Sequence, residues 1–100
     1  MELNTTIDGA NATIAVIGKL TVATVPNLET ALAELPDEAV NVTLDLSELD
    51  YIASAGLRVV VSNDKALRSR GGVLRLIHPN DEVMDVLDAT GLVGILTVEP

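Results

Sequence analysis

A chain of 100 residues with 48 % apolar side chains is long enough to bury about two thirds of its unfolded surface and too apolar to stay disordered. Its net charge of -9 repels the phosphates of nucleic acid, and with Tyr51 as the one aromatic residue there is no platform for stacking bases. The absence of cysteine removes disulfides, thiolate metal sites and thiol nucleophiles together, and no apolar run approaches the roughly 20 residues of a membrane span.

Two strands open the chain. Leu3, Thr5 and Ile7 alternate, Asp8-Gly9 marks a tight turn, and Ile14, Val16 and Ile17 follow, which predicts an antiparallel hairpin. After a connector over Gly18 to Ala23, Thr24 is placed to cap a helix carrying Val25, Leu28, Leu32 and Leu35 on one stripe, with Pro26 in its first turn and Pro36 beyond its end.

The stretch Asn41 to Arg70 reads as a buried strand on Val42, Leu44 and Leu46, a short connector, and an amphipathic helix with Leu57, Val60, Val61 and Leu67 on one side. Ser54 stands at that strand-to-helix junction, where a hydroxyl either caps the helix or meets solvent at a strand end. Gly71-Gly72 supplies a left-handed stop, Val73 to Ile77 a further strand, and Asn80 the cap of a helix with Val83, Val86 and Leu87 inward and Asp81, Glu82, Asp85 and Asp88 outward. Gly91 ends that helix and Ile95 to Val98 gives the last strand. The order predicts one α/β domain over residues 1–100: an N-terminal hairpin, then βαβαβ crossovers of right-handed sense, in a mixed five-stranded sheet with three helices.

In such sheets the loops after the strands' carboxyl ends gather on one rim. Those loops are Gly18 to Thr24, Ser47 to Ser54 and His78 to Asn80, so Thr21, Tyr51, Ser54 and His78 are expected to share a neighbourhood. Ser54, His78 and Asp45 supply the residue types of a catalytic triad, but Ala53-Ser54-Ala55-Gly56 is not a nucleophile elbow and the chain has a single histidine, so no enzyme is expected. Charge is uneven: residues 1 to 50 hold nine acids against Lys19 alone, whereas Arg58, Lys65, Arg68, Arg70 and Arg75 lie in or just after the central helix, a pattern that reads as a solvated helix face. Gly56, costly within a helix, implies a close approach by either a partner's backbone or the helix's own sheet.

The segment LDLSELDYIASAGLRVVV resembles the strand-loop-helix signature of STAS domains, particularly those of bacterial anti-sigma factor antagonists, whose loop typically reads D-S-S-G-L or a close variant. Gly18-Lys19-Leu20 with Thr24 and Leu28, Gly71-Gly72-Val73-Leu74, and Asn80 to Val83 with Thr90-Gly91-Leu92 are similar to other parts of that family in order and spacing, so the likeness spans Gly18 to Val98. With no membrane span and neither the basic nor the apolar region of a signal peptide at MELNTTIDGA, the chain is expected to be cytoplasmic. No cofactor of its own is expected, nor an assembly beyond a monomer or weak dimer, and the chain departs from the family in lacking the C-terminal helix of many relatives. The likeness implies that Ser54 is the phosphoacceptor for a partner that is both an anti-sigma factor and an ATP-dependent serine kinase, with a PP2C-type phosphatase resetting the cycle. Carried over in the same way, the partner-binding surface comprises Thr21, Val22, Thr24, Tyr51, Ala53, Ala55, Gly56, Arg58 and His78. Phosphorylated relatives usually carry Asp before the acceptor and in the first connector, where this chain has Ala53 and Thr21. The alternative is accordingly a STAS adaptor that binds a kinase-like or transporter-associated partner without being phosphorylated.

Overall fold

In the computed structural model, which describes residues 1–100, β1 (Glu2–Asp8) and β2 (Asn11–Leu20) form the expected antiparallel hairpin, with Thr5 opposite Ile14 and Asp8 opposite Asn11. Gly9 opens the two-residue loop at φ 60°, the sign such loops need at that position. Helix α1 (Val25–Ala33) follows, then β3 (Asn41–Asp45), β4 (Leu49–Ile52), α2 (Ser54–Ser69), β5 (Val73–Ile77), α3 (Asp81–Ala89), a 3-10 turn over Leu92–Gly94, and β6 (Thr97–Glu99). No helix is long and apolar enough to cross a membrane.

The sheet has six strands where the sequence predicts five. Its main path runs β1-β2-β3-β5-β6, antiparallel at β1 and parallel elsewhere, and the additional strand β4 pairs in parallel with the far end of β2. Two local features hide it. Leu49-Asp50-Tyr51-Ile52 buries only its two ends, so the alternation that announces a strand is missing. Its partner lies in the stretch that reads as a connector, because β2 continues past Gly18 through an irregularity between Gly18 and Lys19, where Gly18 adopts φ 102°.

Alternation elsewhere puts Ile14, Val16, Val42, Leu44, Leu74 and Leu76 into the core, where Leu28, Leu57, Val60, Leu67, Val83 and Leu87 of the helices join them. The opposite sheet face is polar: Thr6, Thr13, Thr43, Arg75 and Thr97 stand side by side across five strands. Helix α2 ends as Gly71-Gly72 predicts, with Gly71 at φ 79°. The Gly72 N–H donates to Leu67 O (2.8 Å) and that of Gly71 to Arg68 O (3.1 Å), the paired bonds of a Schellman stop. Asn80 caps α3 as predicted, its Oδ1 accepting from the Val83 N–H at 2.8 Å. Its Nδ2 also donates to Leu49 O (3.1 Å), which fastens the start of α3 to β4.

Candidate docking surface around Ser54

The first turn of α2 is seated on the sheet by backbone and by a missing side chain. Ala53 is extended (φ -87°, ψ 166°) and donates its N–H to Leu20 O at 2.8 Å, while its own carbonyl accepts from Gly56 (2.9 Å) and Leu57 (3.2 Å). A Cβ on Gly56 would lie 2.7 Å from Leu20 Cδ2 and 3.1 Å from Ile52 Cγ1. The close approach that Gly56 permits is thus that of the helix to its own core, and the expectation that a partner touches this residue is corrected.

Ser54 does not cap the helix. Ala53 occupies the N-cap position without a side-chain bond, and Ser54 is the first helical residue, with its side chain exposed and its hydroxyl free of hydrogen bonds within the chain. Thr24, at the N-cap position of α1, also withholds its hydroxyl from the helix. Its Oγ1 instead accepts from the Thr21 N–H (2.8 Å) and donates to Lys19 O (2.8 Å), closing the Thr21–Thr24 turn on itself. That closure carries Val22 outward, 75 % exposed at the tip of the turn.

Thr21 and Tyr51 do come together, lining a hollow with Lys19, Asp50 and Glu82. Tyr51 is 49 % exposed, a large amphipathic side chain standing free on the rim. Ser54 borders a different depression, between α2 and Thr90 and Leu92, where its neighbours include Arg58 and Lys65. The rim is therefore two-signed, with carboxylates on the β4 side and cations along α2. No group of three or more His, Asp or Glu side chains is placed to hold a metal ion.

His78 is not part of this neighbourhood, which corrects the expectation from loop geography. Ile77 lies in register with Asp45 and, through it, with Ala15, whereas Ile52 pairs with Leu20, five residues further along β2. At about 3.3 Å per residue the rim at β4 rises roughly 16 Å beyond the end of β5. His78 sits at that lower level with φ 56°, donating its N–H to Glu99 O at 2.8 Å. Asp45 accepts from the Ser47 N–H (3.0 Å), and no hydrogen bond joins Asp45, His78 and Ser54.

Sequence reasoning did not find the depression beside Ser54, because its second wall comes from Thr90 and Leu92, more than 30 positions away. That wall is held by a buried carboxylate: Asp64, 3 % exposed, pairs with Arg68 Nε at 3.0 Å, and Arg68 Nη2 reaches Ile95 O at 3.2 Å. Removing Arg68 leaves Asp64 without a counter-ion, a loss of several kcal/mol at a fully buried pair. Because the Arg68 side chain is 53 % exposed and water can replace it in part, Arg68→Ala is expected to cost about 1–2 kcal/mol, read as a lower midpoint in urea at unchanged slope.

A family model described as "Mlab, STAS domain" matches residues 3–97. BtrV of Bordetella bronchiseptica is 40 % identical over 82 residues, 81 % of this chain and 71 % of that protein. The anti-sigma-B factor antagonist of Listeria monocytogenes is 32 % identical over 87 residues, 86 % and 76 % of the two chains. A crystal structure of an anti-sigma factor antagonist from Mycobacterium paratuberculosis superposes with a TM-score of 0.87 at 21 % identity, over 99 % of this chain and 85 % of that one. Strand order, the α2 junction and the match across 95 positions agree, and the chain belongs to the STAS domain family.

Proposed function

We propose that the chain is an anti-sigma factor antagonist switched by phosphorylation of Ser54. Unmodified, it docks through the rim formed by Thr21, Val22, Thr24, Tyr51, Ala53, Ala55 and Arg58 onto an anti-sigma factor that is also a serine kinase, and so frees a sigma factor. The partner binds ATP and transfers the phosphoryl group. The chain itself performs no chemistry, works in the cytoplasm, and is returned to its docking form by a PP2C-type phosphatase. The observation that carries this reading is the exposed, unbonded Ser54 hydroxyl at the first position of α2, between the exposed Tyr51 and Arg58. A hydroxyl engaged as a cap would first have to be released; this one is already available to a kinase.

The adaptor reading has its own support in Ala53 and Thr21, since neither puts a carboxylate beside the acceptor where a kinase and its metal would meet it. Incubation with the partner kinase and ATP, followed by intact mass and site mapping, separates the two. One phosphoryl group on Ser54 together with loss of binding is the expected result. Tight binding with no modification assigns the adaptor role, and the absence of both binding and modification ends the proposal.

A further inference from the structure

Continuous with the rim, and sharing Ser54 and Arg58 with it, α2 carries a second surface. An open groove of about 520 Å³ runs between this helix and the segment Thr90–Leu92. Leu57, Val61 and Leu92 form its apolar floor, and Arg58 and Lys65 stand along its edge. Not one of the chain's 15 carboxylates lines it. Neither cation is neutralised from within, because the two ion pairs of the molecule are Arg68–Asp64 and Arg75–Glu99. In a protein of net charge -9, two free cations above an apolar floor are the place where an acidic chain is attracted and not repelled.

We propose that this groove seats an acidic amphipathic helix of a partner protein, its apolar side chains on Leu57, Val61 and Leu92 and its carboxylates against Arg58 and Lys65. Ser54, Leu57, Arg58, Val61 and Lys65 follow one another at steps of three, one, three and four, so they form a single stripe along α2. Arg58 and Lys65 are seven residues apart, about 10.5 Å along the axis. Two acids seven residues apart on a helix lying along α2 match that interval, with an apolar side chain between them reaching the floor. The inference rests on the docking reading above and extends it, because Ser54 stands at the mouth of the same groove, four residues before Arg58. A phosphate on Ser54 faces Arg58 across one helical turn and competes with the partner's carboxylate for it.

The test is a titration of the isotopically labelled 100-residue chain with a synthetic acidic amphipathic peptide of about 16 residues, long enough for helical turns to form. The peptide carries Glu at positions seven apart and Leu between them; a control peptide has Lys for each Glu. The acidic peptide is expected to shift the amide signals of Val61, Lys65 and Leu92, and Lys65→Glu, at unchanged melting temperature, to weaken it by roughly tenfold or more. No shift at those residues, equal binding by the Lys peptide, or undiminished affinity in Lys65→Glu overturns the proposal. Dimerisation of the chain that Lys65→Glu abolishes assigns the groove to a second copy and overturns it as well. Neither kinase nor ATP enters the titration, so a negative result leaves the Ser54 switch standing, and a failed phosphorylation leaves the groove assignment standing.

Discussion

Gly72→Ala is expected to lower the melting temperature by about 12–24 °C, more than any other single methyl group added to a glycine of this chain. A Cβ on Gly72 would stand 2.0 Å from Val40 O and 2.8 Å from Val40 C, well inside van der Waals contact. Neither side can yield. Val40 O accepts the Val73 N–H (3.0 Å) at the start of the β3–β5 ladder, and the Gly72 N–H is committed to Leu67 O at the end of α2. Overpacking costs about 1–3 kcal/mol where side chains can shift; with backbone on both sides the upper end applies, about 3 kcal/mol. For a domain of this size each kcal/mol moves the midpoint by about 4–8 °C, which gives the range stated. Gly71→Ala is the control, since Gly71 has open space around its missing Cβ and suffers only the left-handed backbone, about 1–2 kcal/mol. Gly56→Ala meets side-chain atoms of Leu20 that can move, and falls between the two. A calorimetric scan in which Gly72→Ala melts no lower than Gly71→Ala would refute the account.

That ranking shows what kind of information the sequence carries. Gly71-Gly72 announces a helix stop, and the stop is there, but the pair does not say which glycine supplies the positive φ and which the clearance to a neighbouring strand. Local signals were legible wherever one segment settles the matter: the period of two in Val42, Leu44 and Leu46, the turn at Asp8-Gly9, the cap at Asn80. Contacts between distant segments were not. β4 exists because a bulge at Gly18 lets β2 run on to meet it, and Leu49-Asp50-Tyr51-Ile52 has no alternation of its own.

The site divides along the same line. The order of strands and the family likeness point to Ser54, Tyr51 and Thr21; of these, Thr21 and Tyr51 line one hollow, and Ser54, exposed, borders another depression. Loop geography misplaces His78 because it treats all strand ends as level, while β4 begins where β3 has already stopped. Thr24 and Ser54 both stand at helix starts, yet neither hydroxyl caps its helix: one closes a turn onto Lys19 O and the other is free. Position in sequence marks such a hydroxyl as a candidate cap; only the surrounding backbone decides what it binds. The five basic residues that read as a solvated face are sorted by tertiary structure into two with carboxylate partners, Arg68 and Arg75, one that donates to a backbone carbonyl, Arg70 to Asp37 O, and two that edge a groove, Arg58 and Lys65.

Phosphorylation of Ser54 is expected to leave the fold intact and to weaken partner binding by about a hundredfold or more. At the first position of α2 the N–H groups of Ser54 and Ala55 precede the point where the helix can supply acceptors. A dianion there meets those donors, the positive end of the helix dipole and Arg58, which together stabilise the free domain by up to about 1 kcal/mol. Circular dichroism and melting temperature of the modified form should therefore match or slightly exceed those of the unmodified form. In the docked state proposed above, the same phosphate has to shed water against a surface fitted to a neutral alcohol. Desolvating a dianion whose outward oxygens the docked surface does not pair costs several kcal/mol, and each 1.4 kcal/mol is a factor of ten. Ser54→Asp adds one charge on a shorter stem at a position where an acid suits the helix, so it should weaken binding by roughly tenfold while raising stability slightly. Ser54→Ala should bind as the parent does and accept no phosphate. Titration calorimetry of the four forms with the partner kinase decides the matter. Loss of helix on modification would mean that the switch works by unfolding, and equal affinity of the phosphorylated and unmodified forms would mean that the charge at this helix start is not what the partner reads.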